Sequence, residues 1–355
     1  MSRYFSKSLS ALKPYVPGEQ PQDMKYVKLN TNESPFPPSK AAMQYAEEHL
    51  RALNLYPDPE CVELRREFAK LSRVDTDQVL AANGSDEALY FAFKAFADQE
   101  HPLVFPDITY GCYPVFAGAL GIPYTEIPLK EDFTIDTADY SGTGRTIVIA
   151  NPNAPTGIAL SLYEIDALVK AHPDDVVIVD EAYVDFGGTS CIPLTKKYDN
   201  LLVVQTFSKS RSMAGARLGF AIGSRELIRD LNTVRNSFNP YNINNMTMAV
   251  GLGVLKNQIY TDANCLKIRE TRSYTEAALK ELGFEILNSK ANFIFARTDR
   301  IGGGELYRRL KAKGVLIRHF EKERISDYNR ITIGTKEQMD VLLEKIREIL
   351  AEEEA

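Results

Sequence analysis

Tryptophan is absent from this 355-residue chain, and no function attaches to that absence. Other gaps are more informative. Cysteine is scarce, and Cys61, Cys112, Cys191 and Cys265 stand too far apart for any short-range metal pattern, a usage that suits a reducing compartment. Long hydrophobic runs are missing. The aliphatic stretches 176–179 and 201–204 fall far short of the roughly 18 apolar residues of a membrane span. No apolar segment follows Met1-Ser2-Arg3-Tyr4-Phe5, so no secretory signal is expected and a cytoplasmic location is. A basic cluster is also lacking: 42 Lys+Arg against 48 Asp+Glu leave a net charge of −6, which does not attract polyanions and argues against a nucleic-acid or membrane partner. A complete G-x-G-x-x-G does not occur. Gly142-Thr143-Gly144 meets Ile147 where the third glycine belongs, and Gly251-Leu252-Gly253 meets Lys256, so a nicotinamide enzyme is disfavoured; a P-loop is missing too.

What is present is an ordinary globular composition, 44% hydrophobic and 25% charged, in a chain long enough for two or three domains. The first forty residues carry Pro14, Pro17, Pro21, Pro35, Pro37 and Pro38 and read as an extended arm, because each proline fixes its own φ and biases its predecessor away from helix. From residue 145 the pattern is strand, helix, strand. The run Thr146–Ala150 is followed by a capping box, Ser161 with Glu164, ahead of Ile165, Leu168 and Val169 at helical spacing, and then by the run 176–179. Such β-rich runs belong to a parallel sheet covered on both faces, and Leu201–Gln205 supplies a further strand. The large domain is therefore α/β. A long helical region over 244–282 precedes short strands at 292–296 and 330–333, with helices near 304–313 and 336–351, the latter opened by a second capping box from Thr335 to Gln338. This part reads as a smaller α+β domain, and the end Glu352-Glu353-Glu354 reads as a frayed, solvated tail.

Ligands of open parallel sheets bind beyond the carboxyl ends of the strands. Those positions hold Asn151–Gly157, Asp180-Glu181-Ala182-Tyr183 and Thr206-Phe207-Ser208-Lys209, so an amine, a carboxylate and several donors converge without the thiolates or histidines of a metal site. Upstream, Asn83-Gly84-Ser85-Asp86-Glu87 is a glycine turn entering an apolar-periodic helix, whose free N–H groups and dipole suit a phosphate. Arg217 can add a charge-assisted hydrogen bond. Taken singly, Asn83-Gly84 is more often a plain turn and Lys209 a surface lysine. In combination, a lysine, an aspartate and a phosphate cradle at successive strand ends are the parts that pyridoxal phosphate needs.

The segments Asn153-Ala154-Pro155-Thr156-Gly157, Asp180-Glu181-Ala182-Tyr183, Ser208-Lys209 and Ala214-Gly215-Ala216-Arg217-Leu218-Gly219 resemble the signature of fold-type-I pyridoxal-phosphate aminotransferases. Leu29–Pro35, Tyr56-Pro57-Asp58-Pro59, Asn83–Glu87, Pro106–Tyr110 and Arg330–Gly334 extend the likeness to the histidinol-phosphate branch over nearly the whole chain. The resemblance implies a three-layer sandwich with a mainly parallel central sheet, as in the aspartate-aminotransferase-like large domain, plus a smaller α+β domain. The expected division is an arm over 1–40, a large domain over 41–255 and a small domain over 256–355.

It also implies roles. Lys209 carries the cofactor and shuttles the substrate's α-proton, Asp180 pairs with the pyridine nitrogen, and Tyr183 bonds the 3′ oxygen. Tyr110 stacks on the ring, while Gly84, Ser85, Ser208 and Arg217 hold the phosphate with Asp86 close by. The family places Asn directly before Pro-Thr-Gly, where this chain has Ala154. Either Asn153 reaches the ring through a shifted loop, or that contact is missing and Tyr183 acts alone. For substrate, Arg330 matches the α-carboxylate position, Arg318 a second arginine for the phosphate ester, and Tyr15 and Tyr56 further phosphate contacts, with Tyr56 supplied by the partner of a homodimer. The implied reaction is transamination between L-histidinol phosphate and 2-oxoglutarate, with small-molecule substrates and no metal. Rival expectations are an aromatic or other amino-acid aminotransferase, a phosphothreonine decarboxylase-like enzyme and, from another class, a pyridoxal-phosphate-binding regulator, which would carry a basic DNA-binding extension.

Overall fold

Strands with no polar face cannot border solvent, and the three runs at 146–150, 177–180 and 201–206 are buried throughout except for a half-buried Gln205. They form the middle of the larger sheet. The computed structural model describes residues 2–142 and 144–353. In chain order the arm strand β1 (Val27–Lys28), α1 (Lys40–His49) and α2 (Val62–Ser72) lead to β2 (Val79–Ala82) and α3 (Ser85–Phe96). Then come β3 (Leu103–Pro106), α4 (Tyr113–Leu120), β4 (Tyr124–Ile127), β5 (Thr146–Ala150), α5 (Leu162–Ala171), β6 (Val177–Asp180), β7 (Leu201–Thr206) and β8 (Gly219–Ile222). Three helices, α6 (Arg225–Phe238), α7 (Asn245–Leu255) and α8 (Gln258–Glu281), connect to β9 (Glu285–Ile286), β10 (Phe293–Arg297), α9 (Gly303–Ala312), β11 (Val315–Leu316), β12 (Arg318–His319), β13 (Asn329–Thr332) and α10 (Lys336–Glu353).

The seven-stranded sheet has the order β2-β8-β7-β6-β5-β3-β4. All neighbours are parallel except that β8 runs antiparallel to both β7 and β2. This reversal matters for the site, because the start of β8 lies at the same sheet edge as the ends of β2, β6 and β7. The α/β expectation holds, and the expected strands shift by only a residue at their ends. Both capping boxes form: Ser161 with Glu164, and Thr335 with Gln338.

One expectation gains detail and another needs correction. The helical region 244–282 is present as two helices, parted where Asn257 leaves helical geometry at φ −123°, ψ 49°. The break lets the two serve different cores. Leu252, Val254 and Leu255 join the core of the seven-stranded sheet, whereas Cys265, Ile268 and Leu279 join Phe293, Ile331, Leu342 and Ile346 in the C-terminal core. The acidic end does not fray either: α10 runs to Glu353 because α9 lies beside it and offers Arg309 to Glu352 and Glu353, while Lys313 donates to Glu352 at 3.0 Å. Glu354 and Ala355 lie outside the described residues, as do Met1 and Thr143.

The four-stranded sheet β12-β13-β10-β9 is antiparallel and is covered by α8 and α10. The arm lies on this part of the molecule. β1 pairs in parallel with β11, Thr332 donates its amide to Leu29 at 3.0 Å, and Glu19 accepts from both Tyr307 and Lys311.

Candidate active site

The sheet edge that collects the ends of β2, β5, β6 and β7 and the start of β8 borders a cavity of about 110 Å³. Ser85, Asp86, Tyr110, Ala154, Asp180, Tyr183, Ser208, Lys209 and Arg217 line it. A wider cleft continues from it between the arm and the small sheet, sharing Tyr110, Tyr183 and Lys209 and adding Asn30, Tyr15, Arg318 and Arg330.

At one end of the cavity is an anion cradle. Gly84, at φ +85°, turns β2 into the N-terminus of α3, where first-turn amides have no partner within the helix. A Cβ at Gly84 would lie 2.6 Å from Arg217 Nη2, so the glycine leaves room for the guanidinium. Arg217 donates to Ser208 Oγ at 3.2 Å and to Asp86 Oδ2 at 2.8 Å. Asp86 in turn accepts from the Tyr110 hydroxyl at 2.9 Å. Its carboxylate thus braces the arginine and the aromatic ring, which is a different task from contacting a phosphate that it would repel.

Asp180 also lines the cavity and is only 4% exposed. Its Oδ2 accepts from Tyr113 at 2.9 Å and its Oδ1 from the Ala182 amide at 3.2 Å. Burial pushes its carboxyl up to about 7, against the pull of the Tyr113 hydrogen bond. Lys209 extends from the loop after β7, donates to the Thr31 carbonyl at 3.1 Å and sits 5.8 Å from the centre of the Tyr183 ring. The Tyr183 hydroxyl accepts from Asn32 Nδ2 at 3.0 Å.

Asn153 does not enter this arrangement. Its Nδ2 donates to the Ile108 carbonyl at 2.9 Å and to Thr156 Oγ1 at 3.2 Å, and its Oδ1 accepts from Thr109 at 2.8 Å. With its amide committed to the loop, Ala154 is the residue that faces the cavity. The structure thus keeps Asn153 out of the cavity.

In the wider cleft, Arg318 and Arg330 are direct cross-strand partners on β12 and β13. Arg330 donates to the Asn30 carbonyl at 3.0 Å, its buried Nε has no hydrogen-bond partner among the described residues, and burial lowers its pKa. Arg318 reaches the Val16 and Pro17 carbonyls at 3.3 and 3.5 Å. Tyr15 lies with its ring 6.3 Å from that of Tyr110. Tyr56 lines neither the cavity nor the cleft: it is 81% exposed and stacks on Tyr241 at 4.6 Å. Two residues that bear on the site escaped sequence reasoning. Asn32 lies inside a segment already singled out, and Tyr113 opens α4 three residues after Tyr110, donating its amide across the turn to the Tyr110 carbonyl at 3.1 Å. Among the described residues no cluster of three or more His, Cys, Asp or Glu could hold a metal ion.

The parts present fit pyridoxal 5′-phosphate: a cradle that a Cβ at Gly84 would fill, with a buried carboxylate and an amine lining the same cavity. Residues 24–346 match the family model for class I and II aminotransferases. The chain belongs to that family, and it is a pyridoxal-phosphate-dependent aminotransferase. Within the family it is 47% identical over 352 residues to histidinol-phosphate aminotransferase of Brachyspira hyodysenteriae, covering 99% of both chains. It is 46% identical over 350 residues to that of Acinetobacter baumannii, covering 98% of this chain and 97% of the relative. The histidinol-phosphate aminotransferase of Sinorhizobium meliloti, solved with pyridoxal-5′-phosphate, superposes with a TM-score of 0.89 over 99% of each chain at 20% identity, a likeness of fold. This chain therefore falls in the histidinol-phosphate aminotransferase branch of the family.

Proposed function

We propose that the enzyme transfers the amino group of L-histidinol phosphate to 2-oxoglutarate, giving imidazole acetol phosphate and L-glutamate, a step of histidine biosynthesis. The observation that carries the reading is the pairing of Arg318 with Arg330 across β12 and β13. Like charges directly opposite each other destabilise a sheet, so the pair makes physical sense where an anion comes to rest between them. Both line the cleft that contains Lys209, and both substrates bring an anion: a carboxylate in glutamate, a phosphate ester in histidinol phosphate. A guanidinium binds either in bidentate fashion.

Bound pyridoxal phosphate supplies an electron sink for the pair left when the α-proton departs. Arg217, Ser208, Gly84 and Ser85 would hold its phosphate and Tyr110 would cover its ring. Asp180 would keep a proton on its ring nitrogen, and Tyr183 would hydrogen-bond its phenolic oxygen. Lys209 Nζ lines the same cavity and takes the proton from the substrate's α-carbon. Arg330, with Arg318 and Tyr15, fixes the substrate's anionic end so that the α-carbon faces that nitrogen.

We also propose a division into an arm over 1–40, a large domain over 41–255 and a small domain over 256–355, and the break between α7 and α8 supports it. A homodimer is proposed on the exposed group Leu53, Leu55, Tyr56, Phe238 and Tyr241, which a monomer would leave to water. Tyr56 would then complete the partner's site. All four cysteines are unpaired, which supports a cytoplasmic setting, and no helix among the described residues is long and apolar enough to cross a membrane.

The decisive experiment is a half-reaction. L-Histidinol phosphate, phenylalanine or glutamate is added to the purified holoenzyme and the visible absorption band of the bound cofactor is followed. Histidinol phosphate and glutamate should bleach it. Conversion by phenylalanine but not by histidinol phosphate rejects the proposed substrate.

A further inference from the structure

Asp180 can assist the reaction only if its carboxylate faces the cofactor cavity and remains charged there, and a buried carboxylate does neither unaided. Among the described residues two donors reach it: the Ala182 amide, which belongs to its own chain segment, and the Tyr113 hydroxyl, which comes from a different layer of the fold. Tyr113 is completely buried at the start of α4. Its ring is wedged among Phe93 at 6.0 Å, Phe105 at 5.7 Å and Tyr110 at 5.6 Å, the last nearly edge-on at 85°. A ring packed on these sides cannot swing, so its hydroxyl has one direction in which to donate, and that direction ends on Asp180 Oδ2.

We propose that Tyr113 is the positioning residue of this site: its hydroxyl locks the Asp180 carboxylate in the orientation that faces the cofactor cavity, and its ring edge sets the plane of Tyr110. Burial and the neighbouring carboxylate hold the Tyr113 phenol well above its usual pKa, so it remains a donor throughout the working range. The hydrogen bond favours the ionised form of Asp180 and opposes the burial that favours the neutral one. Tyr113 itself is not among the residues lining the cavity, which separates its part from that of Tyr110.

The inference rests on the role given above to Asp180, and the test separates the two. Tyr113→Phe, Asp180→Asn and the double variant are compared as holoenzymes, and their cofactor-free forms are titrated with pyridoxal 5′-phosphate. A hydrogen bond to a charged group is worth about tenfold to a hundredfold in an equilibrium or rate. Tyr113→Phe should therefore lower kcat about tenfold or more with KM changed less than about twofold, weaken cofactor binding and shift the pH dependence of the visible band. Adding Tyr113→Phe to Asp180→Asn should cost almost nothing more, because the first acts through the second. Wild-type kcat, cofactor affinity and pH titration in Tyr113→Phe, or losses that simply add in the double variant, overturn the proposal. If Tyr113→Phe fails to fold, rescue by Asp180→Asn is the expected coupling, and failure to rescue counts against it. Should Asp180→Asn alone leave binding and turnover intact, the role of Asp180 falls first.

Discussion

Replacing Asp180 by Asn should stabilise the cofactor-free enzyme above neutral pH even as it cripples the holoenzyme. Burial raises the Asp180 carboxyl from 3.8 to about 7. The sign follows from linkage. Between these values the unfolded chain has released the proton while the folded chain still holds it, so stability is greatest below the unfolded pKa and is lost as pH rises through the folded one. About three pH units at roughly 1.4 kcal/mol each give a loss of about 4 kcal/mol, complete by pH 7 to 8. Asparagine keeps an oxygen for the Tyr113 hydroxyl but turns an NH₂ toward the Ala182 amide, a mismatch of about 1 kcal/mol. The two proteins should then be of similar stability near pH 4.5, with Asp180→Asn ahead by roughly 3 kcal/mol at pH 8. Urea unfolding of both cofactor-free proteins, at intervals from pH 4.5 to 8.5, measures the difference directly. Buried Glu181, whose carboxyl is also raised by burial, is common to both and cancels. A stability difference that does not vary with pH would refute the argument, since it would mean that the aspartate carries no buried-charge penalty.

Three further outcomes are expected. Gly219→Ala should weaken binding of pyridoxal 5′-phosphate about tenfold by titration of the cofactor-free enzyme, because its Cβ would lie 2.5 Å from Gly84 C and Ser85 N and must displace the cradle; unchanged affinity would show that the cradle is not the phosphate site. Lys209→Ala should abolish the cofactor adduct trapped by borohydride, and an adduct persisting on another lysine would overturn the assignment. Mixing inactive Lys209→Ala with inactive Tyr56→Ala should restore activity up to about a quarter of wild type, since a random hybrid dimer holds one intact site only if Tyr56 crosses over; no recovery in demonstrated hybrids would place Tyr56 elsewhere.

Much of this enzyme was legible in one dimension. Apolar runs without a polar face announced the strands of a buried sheet, the capping boxes at Ser161 and Thr335 marked helix starts, and residues just beyond the strands named a lysine, an aspartate and a phosphate turn. These are local signals, written by backbone periodicity and by the chemistry of helix ends, and they need no partner from elsewhere in the chain. What neighbours do to one another was decided only in three dimensions. The break at Asn257 exists because the two flanking helices pack into different cores, and the acidic end is helical because Arg309 and Lys313 stand beside it. Asn153 turns away because Ile108, Thr109 and Thr156 occupy its amide. Arg318 meets Arg330 through a strand register, Asp86 braces Arg217 across 131 positions of chain, and Tyr113 finds Asp180 across 67. Composition, pattern and motif thus determined which chemical groups the protein carries and which elements bear them. Burial and long-range pairing, which depend on residues far apart in sequence, decided how those groups are aimed and in which charge state they are held.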